Sequence, residues 1–244
     1  MKNLRNFSIF TLLLLTFNTQ AQWGSNTVKG DGNVITQTIK TSDYDAISVG
    51  GIYYVTLVSG VEGSITIKGE ENLLEKTIIE GNNNKLEIKT EKNTNLSPSS
   101  GKRIEVSVPV REISAVSLAG SGKIATLDLN LKSTSMQVSL AGSGDIKLSL
   151  ETKDLEAKLA GSGEMELIGK ATSLKSNVAG SGDINLEDLI TSKADVAVAG
   201  SGNINIYCTD ELKARISGSG NIVYKGNPTV KDTKTAGSGK IKAY

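Results

Sequence analysis

One tripeptide governs what this chain can fold into. Gly-Ser-Gly occurs seven times, with its first glycine at Gly120, Gly142, Gly161, Gly180, Gly200, Gly218 and Gly237. The spacings are 22, 19, 19, 20, 18 and 19 residues, a mean of 19.5. Recurrence at that period is the mark of stacked structural units. Each tripeptide follows a small or apolar pair, as in Leu118-Ala119 and Val198-Ala199, and precedes one polar and one aliphatic residue. The aliphatics are Ile124, Ile146, Met165, Ile184, Ile204, Ile222 and Ile241. Within a unit the apolar residues take every second position: Val138 and Leu140 lead in, and Ile146, Leu148 and Leu150 lead out. That is the alternation of a strand with one buried face. Glycine pairs at this interval would break any helix, so helical repeats are excluded.

A strand rises about 3.3 Å per residue, so ~19 residues trace a closed path of roughly 60 Å, room for two or three short strands joined by corners. One such coil cannot bury its apolar side alone. Coils therefore stack about 4.8 Å apart, pair in parallel and align equivalent residues in columns. Each isoleucine after a corner belongs to one interior column and contributes on the order of 2 kcal/mol by burial, before chain entropy is counted. The glycines supply a corner with positive φ, or one too crowded for a Cβ, at the same place in every coil. A phosphate-cradling loop needs a helix after the glycines, and here a strand follows.

Composition narrows function by exclusion. Lys plus Arg is 27 and Asp plus Glu is 26, which leaves no strong field to steer nucleic acid. Histidine is absent and Cys208 is the one cysteine, removing histidine triads, His or Cys zinc sites and any intrachain disulfide. Lys2 and Arg5, the apolar run Phe7 to Phe17, and Thr19-Gln20-Ala21 read as a secretory signal over residues 1–21. The run is too short for a membrane span, which needs roughly 20 residues. Ala21, Gln22 and Trp23 also lack the cysteine of a lipoprotein. The expected location is therefore periplasm, cell surface or extracellular space. Cleavage removes every phenylalanine, so Ile, Val, Leu and Ala must fill the interior.

Residues 22–244 read as one domain, with 25–110 its irregular N-terminal part and 111–244 the regular repeats; two separately folding units are the alternative. In the irregular part, Gly30-Asp31-Gly32-Asn33-Val34 looks like a degenerate repeat unit. Alternation marks strands over Ile47 to Ile67, Leu86 to Ile88 and Ile104 to Val108. Glu71 to Glu80 reads as one or two helical turns, and Thr90 to Lys102 as an exposed loop.

These residues resemble a known family. The Gly-Ser-Gly-x-Ile units, Gly-Asp-Gly-Asn-Val at Gly30, Asp43-Tyr44-Asp45-Ala46-Ile47, Glu71-Asn72-Leu73-Leu74, Val108-Pro109 and Tyr224-Lys225-Gly226-Asn227-Pro228 are similar to the auto-transporter adhesin head, or GIN, domain of secreted bacterial proteins. The resemblance implies an all-β, right-handed parallel β-helix in an exported protein. The chain given stops at Tyr244 without the membrane barrel of an auto-transporter, and so looks like a head without its own translocator.

Stacking in register would place Lys123, Asp145, Glu164, Asp183, Asn203, Asn221 and Lys240 in one exposed column. Asp145, Glu164 and Asp183 would then lie about 5 Å apart in succession. A weak cation site and a plain polar ladder are both open readings. The same spacing suits the two carboxyls of a glycosidase, so it discriminates nothing. Arg103, Arg111 and Arg215 are scattered, and Tyr44, Tyr53, Tyr54, Tyr207, Tyr224, Tyr244 and Trp23 form no sequence strip. Tyr53 and Tyr54 must face opposite sides of a strand. Cys208 reads as a buried or edge thiol. No catalytic, cofactor or metal residue is assigned. The reading is a secreted, non-catalytic solenoid that presents an adhesin-like surface to an unidentified surface, glycan or protein ligand; the alternative is a polysaccharide-binding or polysaccharide-degrading β-helix.

Overall fold

The computed structural model describes residues 26–244; the expected signal, 1–21, and Trp23 lie outside the described residues. The seven corners stack. From Gly120 to Gly237 each first glycine is the strand partner of the next. The repeats run through Leu131–Gly142, Asp145–Gly161, Glu164–Gly180, Asp183–Gly200 and Asn203–Gly218, each paired in parallel with a coil on either side. Ile124, Ile146, Met165, Ile184, Ile204 and Ile222 form one interior column, each at most 1% exposed. The protein is a β-solenoid, as the period requires. Along Asp145–Gly161 buried and exposed residues alternate, and the alternation slips one step between buried Thr152 and buried Leu155. That slip is a second bend in the coil.

Backbone packing explains why the corners keep their sequence. Gly161 has φ +128°, and a Cβ there would fall inside van der Waals contact with the carbonyl oxygen of Gly142. That oxygen accepts hydrogen bonds from Ser162 N (2.9 Å) and Gly163 N (3.1 Å). Gly163 in turn sits as closely on Gly144. Coils touch here mainly through backbone, with the Leu140 side chain also against Gly163, so this corner holds register while the rest of the coil absorbs length. In the 22-residue interval, six residue steps from Ala125 to Leu131 face three from Lys147 to Leu150. In the 18-residue interval the register shifts between Leu186 and Ile190 and again between Thr191 and Lys193.

The N-terminal part continues the same 17-stranded sheet, but its order in space differs from its order in sequence. Ala46–Gly51 and Tyr54–Ser59 form the coil beside Ala115–Gly120 and Lys123–Thr126, with Gly51 paired to Gly120. Gly51-Ile52-Tyr53 is thus an eighth corner. Lys85–Thr90 and Glu105–Val110, later in the chain, lie on the outer side of that coil. Beyond them Thr77–Asn82, Ser64–Glu70 and Val34–Lys40 pair antiparallel, covering this end of the parallel stack.

Three sequence expectations change here. Val34 does not open a coil, because Val34–Lys40 runs antiparallel to Ser64–Glu70. The helix spans only Glu71–Leu74 and gives way to strand Thr77–Asn82. The expected loop Thr90 to Lys102 contains Thr94–Ser97, paired in parallel with Asn26–Lys29 in a separate two-stranded sheet. The Gly30-Asp31-Gly32 turn misleads because it serves a different purpose. It wraps the buried carboxylate of Glu70, which accepts from Gly32 N (2.7 Å), Ser99 N (2.9 Å) and Ser99 Oγ (2.6 Å). Asn72 donates to Lys29 O (2.7 Å) and Asn33 to Glu71 (2.8 Å), completing the clasp.

Candidate interaction surface

The outward positions of the solenoid form columns as regular as the interior. Lys123, Asp145, Glu164, Asp183, Asn203, Asn221 and Lys240 are successive strand partners, and Tyr54 precedes Lys123. From Asp183 onward the side chains hand hydrogen bonds along the axis. Asp183 Oδ1 accepts from Asn203 N and Nδ2 (both 2.8 Å); Asn203 Oδ1 accepts from Asn221 N (3.1 Å) and Nδ2 (3.0 Å); Asn221 Oδ1 accepts from Lys240 N (3.2 Å). The structure thus brings Asp145, Glu164 and Asp183 together as a ladder. Among the described residues no group of three or more His, Cys, Asp or Glu is arranged to hold a metal ion.

A second column, Glu156, Lys175, Asp195, Lys213 and Asp232, alternates in sign coil by coil. Lys175, Asp195 and Lys213 each meet the opposite charge on both sides, the favourable cross-strand arrangement. Lys158 at 2.8 Å and Lys175 at 3.9 Å hold Glu156 below the usual carboxylate range, and Lys213 at 3.1 Å does the same for Glu211. Exposed pairs of this kind contribute little one by one. Their regular placement keeps this column mixed in charge.

Two grooves cross the coils. One, of about 690 Å³, is lined by Lys132, Ser133, Thr152, Lys153, Lys170 and Ser192 among others, at the bend opposite the glycine corners. The other, of about 700 Å³, is a trough over Ala179, Ala199, Ser217 and Ala236, edged by Arg215 and Lys234. The trough follows from the small residue before each glycine, which the sequence shows. The hydroxyl-lined groove needs the register between distant bends and has no local signal.

The remaining candidates are dispersed. Tyr44 and Tyr53 are buried, while Tyr54 is exposed under the Arg103 guanidinium, 5.0 Å from its ring. The expectation that only one of the adjacent tyrosines is exposed holds. Tyr224 and Tyr244 do come close in space, since Tyr244 N donates to Tyr224 O (3.0 Å). Their rings face lysines, Lys231 at 5.7 Å and Lys225 at 4.6 Å. Arg215 is committed to Asp232 and Arg103 to Glu105. Cys208 is buried, its thiol is pushed up by that burial, and it donates to Glu211 O (3.2 Å).

Stacked parallel coils, aliphatic columns inside and polar columns outside define the class: a parallel β-solenoid with a repetitive outer face. The chain belongs to the family described as "Putative auto-transporter adhesin, head GIN domain", whose model matches residues 43–228. A solved structure of a putative adhesin from Bacteroides fragilis is 22% identical, with TM-score 0.80 over 89% of this chain and 100% of that one. A putative lipid binding protein from Parabacteroides distasonis is 30% identical, with TM-score 0.74 over 90% of this chain and 100% of that one. A putative adhesin from Parabacteroides merdae is 23% identical, with TM-score 0.67 over 90% and 99%. No functionally curated protein matches the chain. Two of the sequence motifs that resemble this family meet in the fold: Tyr44 is buried and its hydroxyl donates to Pro109 O, while Tyr44 N donates to Glu62 (3.0 Å).

Proposed function

We propose that this protein is an exported, non-catalytic solenoid, residues 22–244 acting as one folded unit, whose outer columns present an adhesin-like interaction surface. The observation that carries the reading is the in-register repetition of outward side chains over the stacked corners. It sets polar side chains of changing type and charge about every 4.8 Å along the axis, a regularly spaced face for an extended partner. Family membership supports the adhesin-like role and a location outside the cytoplasm. Among the described residues no helix is long and apolar enough to cross a membrane.

Two observations bear on the ligand. The groove of lysines, hydroxyls and the carboxylates of Glu112 and Glu151 favours a polysaccharide, held by hydrogen bonds and without chemistry. The alanine trough, together with the name of the 30% identical neighbour, favours a lipid as a second reading. A glycan array and vesicle flotation, both with the purified chain, separate them. Saturable binding to one glycan class, with no product released from that polysaccharide on long incubation, is the expected result. Release of shortened product would overturn the non-catalytic reading, and flotation with vesicles in the absence of glycan binding would select the lipid.

A further inference from the structure

Growth of a parallel stack needs two things at its end: an unpaired strand edge and an apolar column for the next coil to cover. Among the described residues, the coil of Val230–Gly237 and Lys240–Ala243 has a neighbour on one side only, the coil of Asn203–Gly218 and Asn221–Lys225. Its edge is open. Ile241 continues the aliphatic column on Lys240–Ala243, but the inward positions of Val230–Gly237 change character. Register sets Lys231 against Leu212, Thr233 against Ala214 and Thr235 against Ile216, three partners that are buried. The column that reaches Thr235 runs through Leu140, Leu159, Val178, Val198 and Ile216, all apolar. Lys231, Thr233 and Thr235 are themselves exposed. The same coil carries Lys231, Lys234, Lys240 and Lys242 against one acid, Asp232, which is held by Arg215.

We propose that this coil is a built-in stop against end-to-end association of the solenoid with a second copy of this chain. A coil laid on it would bury two threonine hydroxyls without partners and the Lys231 ammonium with only the Tyr224 ring, 5.7 Å away, to face, which is strongly unfavourable. Two such ends brought face to face would also oppose lysine to lysine. An inward-pointing charge on an edge strand is a device that blocks edge-to-edge pairing elsewhere in sheet proteins. The opposite end is built differently, since antiparallel strands rather than a further parallel coil lie on it. The stop resides in side chains at inward positions, and it does not rest on the adhesin-like reading.

The test restores the columns. The variant Lys231→Leu/Thr233→Val/Thr235→Ile is compared with the unaltered chain by sedimentation and light scattering over a wide concentration range. The expected result is a mass at least twofold above the single chain for the triple variant, rising with concentration, while the unaltered chain stays single. A lateral control, Thr172→Val/Ser173→Val, adds apolar surface on an exposed side and should stay single too. Lys231→Leu alone, the milder change, should show weaker association and carries the test if the triple variant does not fold. A restored variant with native circular dichroism that remains single would overturn the proposal. So would association of the unaltered chain that disappears when Thr233 is changed to Pro.

Discussion

Replacing Gly161, Gly163 and Gly101 by alanine, one at a time, separates the two demands that the corner makes on its backbone. Gly101 has φ +74° and nothing within 4 Å of an added Cβ, so Gly101→Ala carries only the left-handed penalty, about 1 kcal/mol. Gly163 lacks a positive φ, but its Cβ would meet Gly144 O and Leu140 Cδ2, the latter at 2.8 Å. Overpacking against a backbone that cannot move independently costs about 2–3 kcal/mol. Gly161 combines both. Its φ of +128° adds about 1–3 kcal/mol of strain. Displacing Gly142 O also weakens the hydrogen bonds from Ser162 N and Gly163 N, each worth about 1 kcal/mol. Gly161→Ala should therefore cost about 4–5 kcal/mol, a large fraction of the roughly 5–15 kcal/mol that holds a typical domain folded. Urea denaturation followed by circular dichroism reads the order as three midpoints, with Gly161→Ala lowest and Gly101→Ala nearest the unaltered chain. If Gly161→Ala were no more damaging than Gly101→Ala, the corners would not be backbone-to-backbone stacks and the account of their sequence would fail.

The clasp around Glu70 should respond to acid. Hydrogen bonds from Ser99 hold its carboxyl below the ordinary glutamate value of 4.5, so its stabilisation is complete above that pH and is lost as the pH falls through the lower folded value. Hydrogen exchange should show Asn26–Lys29 protected at neutral pH and released in acid, with Glu70→Gln releasing it at neutral pH; protection unchanged in that variant would refute the role. Asn203→Ala removes the acceptor for Asn221 N and Nδ2 and the Nδ2 donor to Asp183, leaving only the backbone amide to donate there; it should cost about 1–2 kcal/mol in the same denaturation assay. Because Asp183 Oδ1 already accepts two hydrogen bonds, millimolar calcium should leave the thermal midpoint where it was. A rise of several degrees would instead show a cation bridging Asp145, Glu164 and Asp183.

The repeat was legible because each unit writes the same local rules. Period-two burial, a small residue before the corner and glycine at both flanks describe one coil, and identical coils can stack in only one register. The polar column from Lys123 to Lys240 followed from that register alone. Gly51 was not legible as a corner. Ile52 and Tyr53 replace the serine and second glycine there, and 69 residues rather than 19 separate it from Gly120. Gly30-Asp31-Gly32 carried the glycine signal without the corner, since a turn around a carboxylate makes the same demand on backbone as a turn between strands.

Local pattern by itself determined the coil: its length, its inward aliphatics and the glycines that let one backbone rest on another. Tertiary structure decided what pattern does not encode, namely that Lys85–Thr90 and Glu105–Val110 return to flank an earlier coil, that Glu70 closes a clasp with Ser99, and that Lys231 falls where Leu212 predicts an apolar neighbour. The physical reason is range. Alternation and corner geometry act within a few residues, whereas the closing of an end depends on which distant segment finds an unpaired edge, and such pairings carry no periodicity to read.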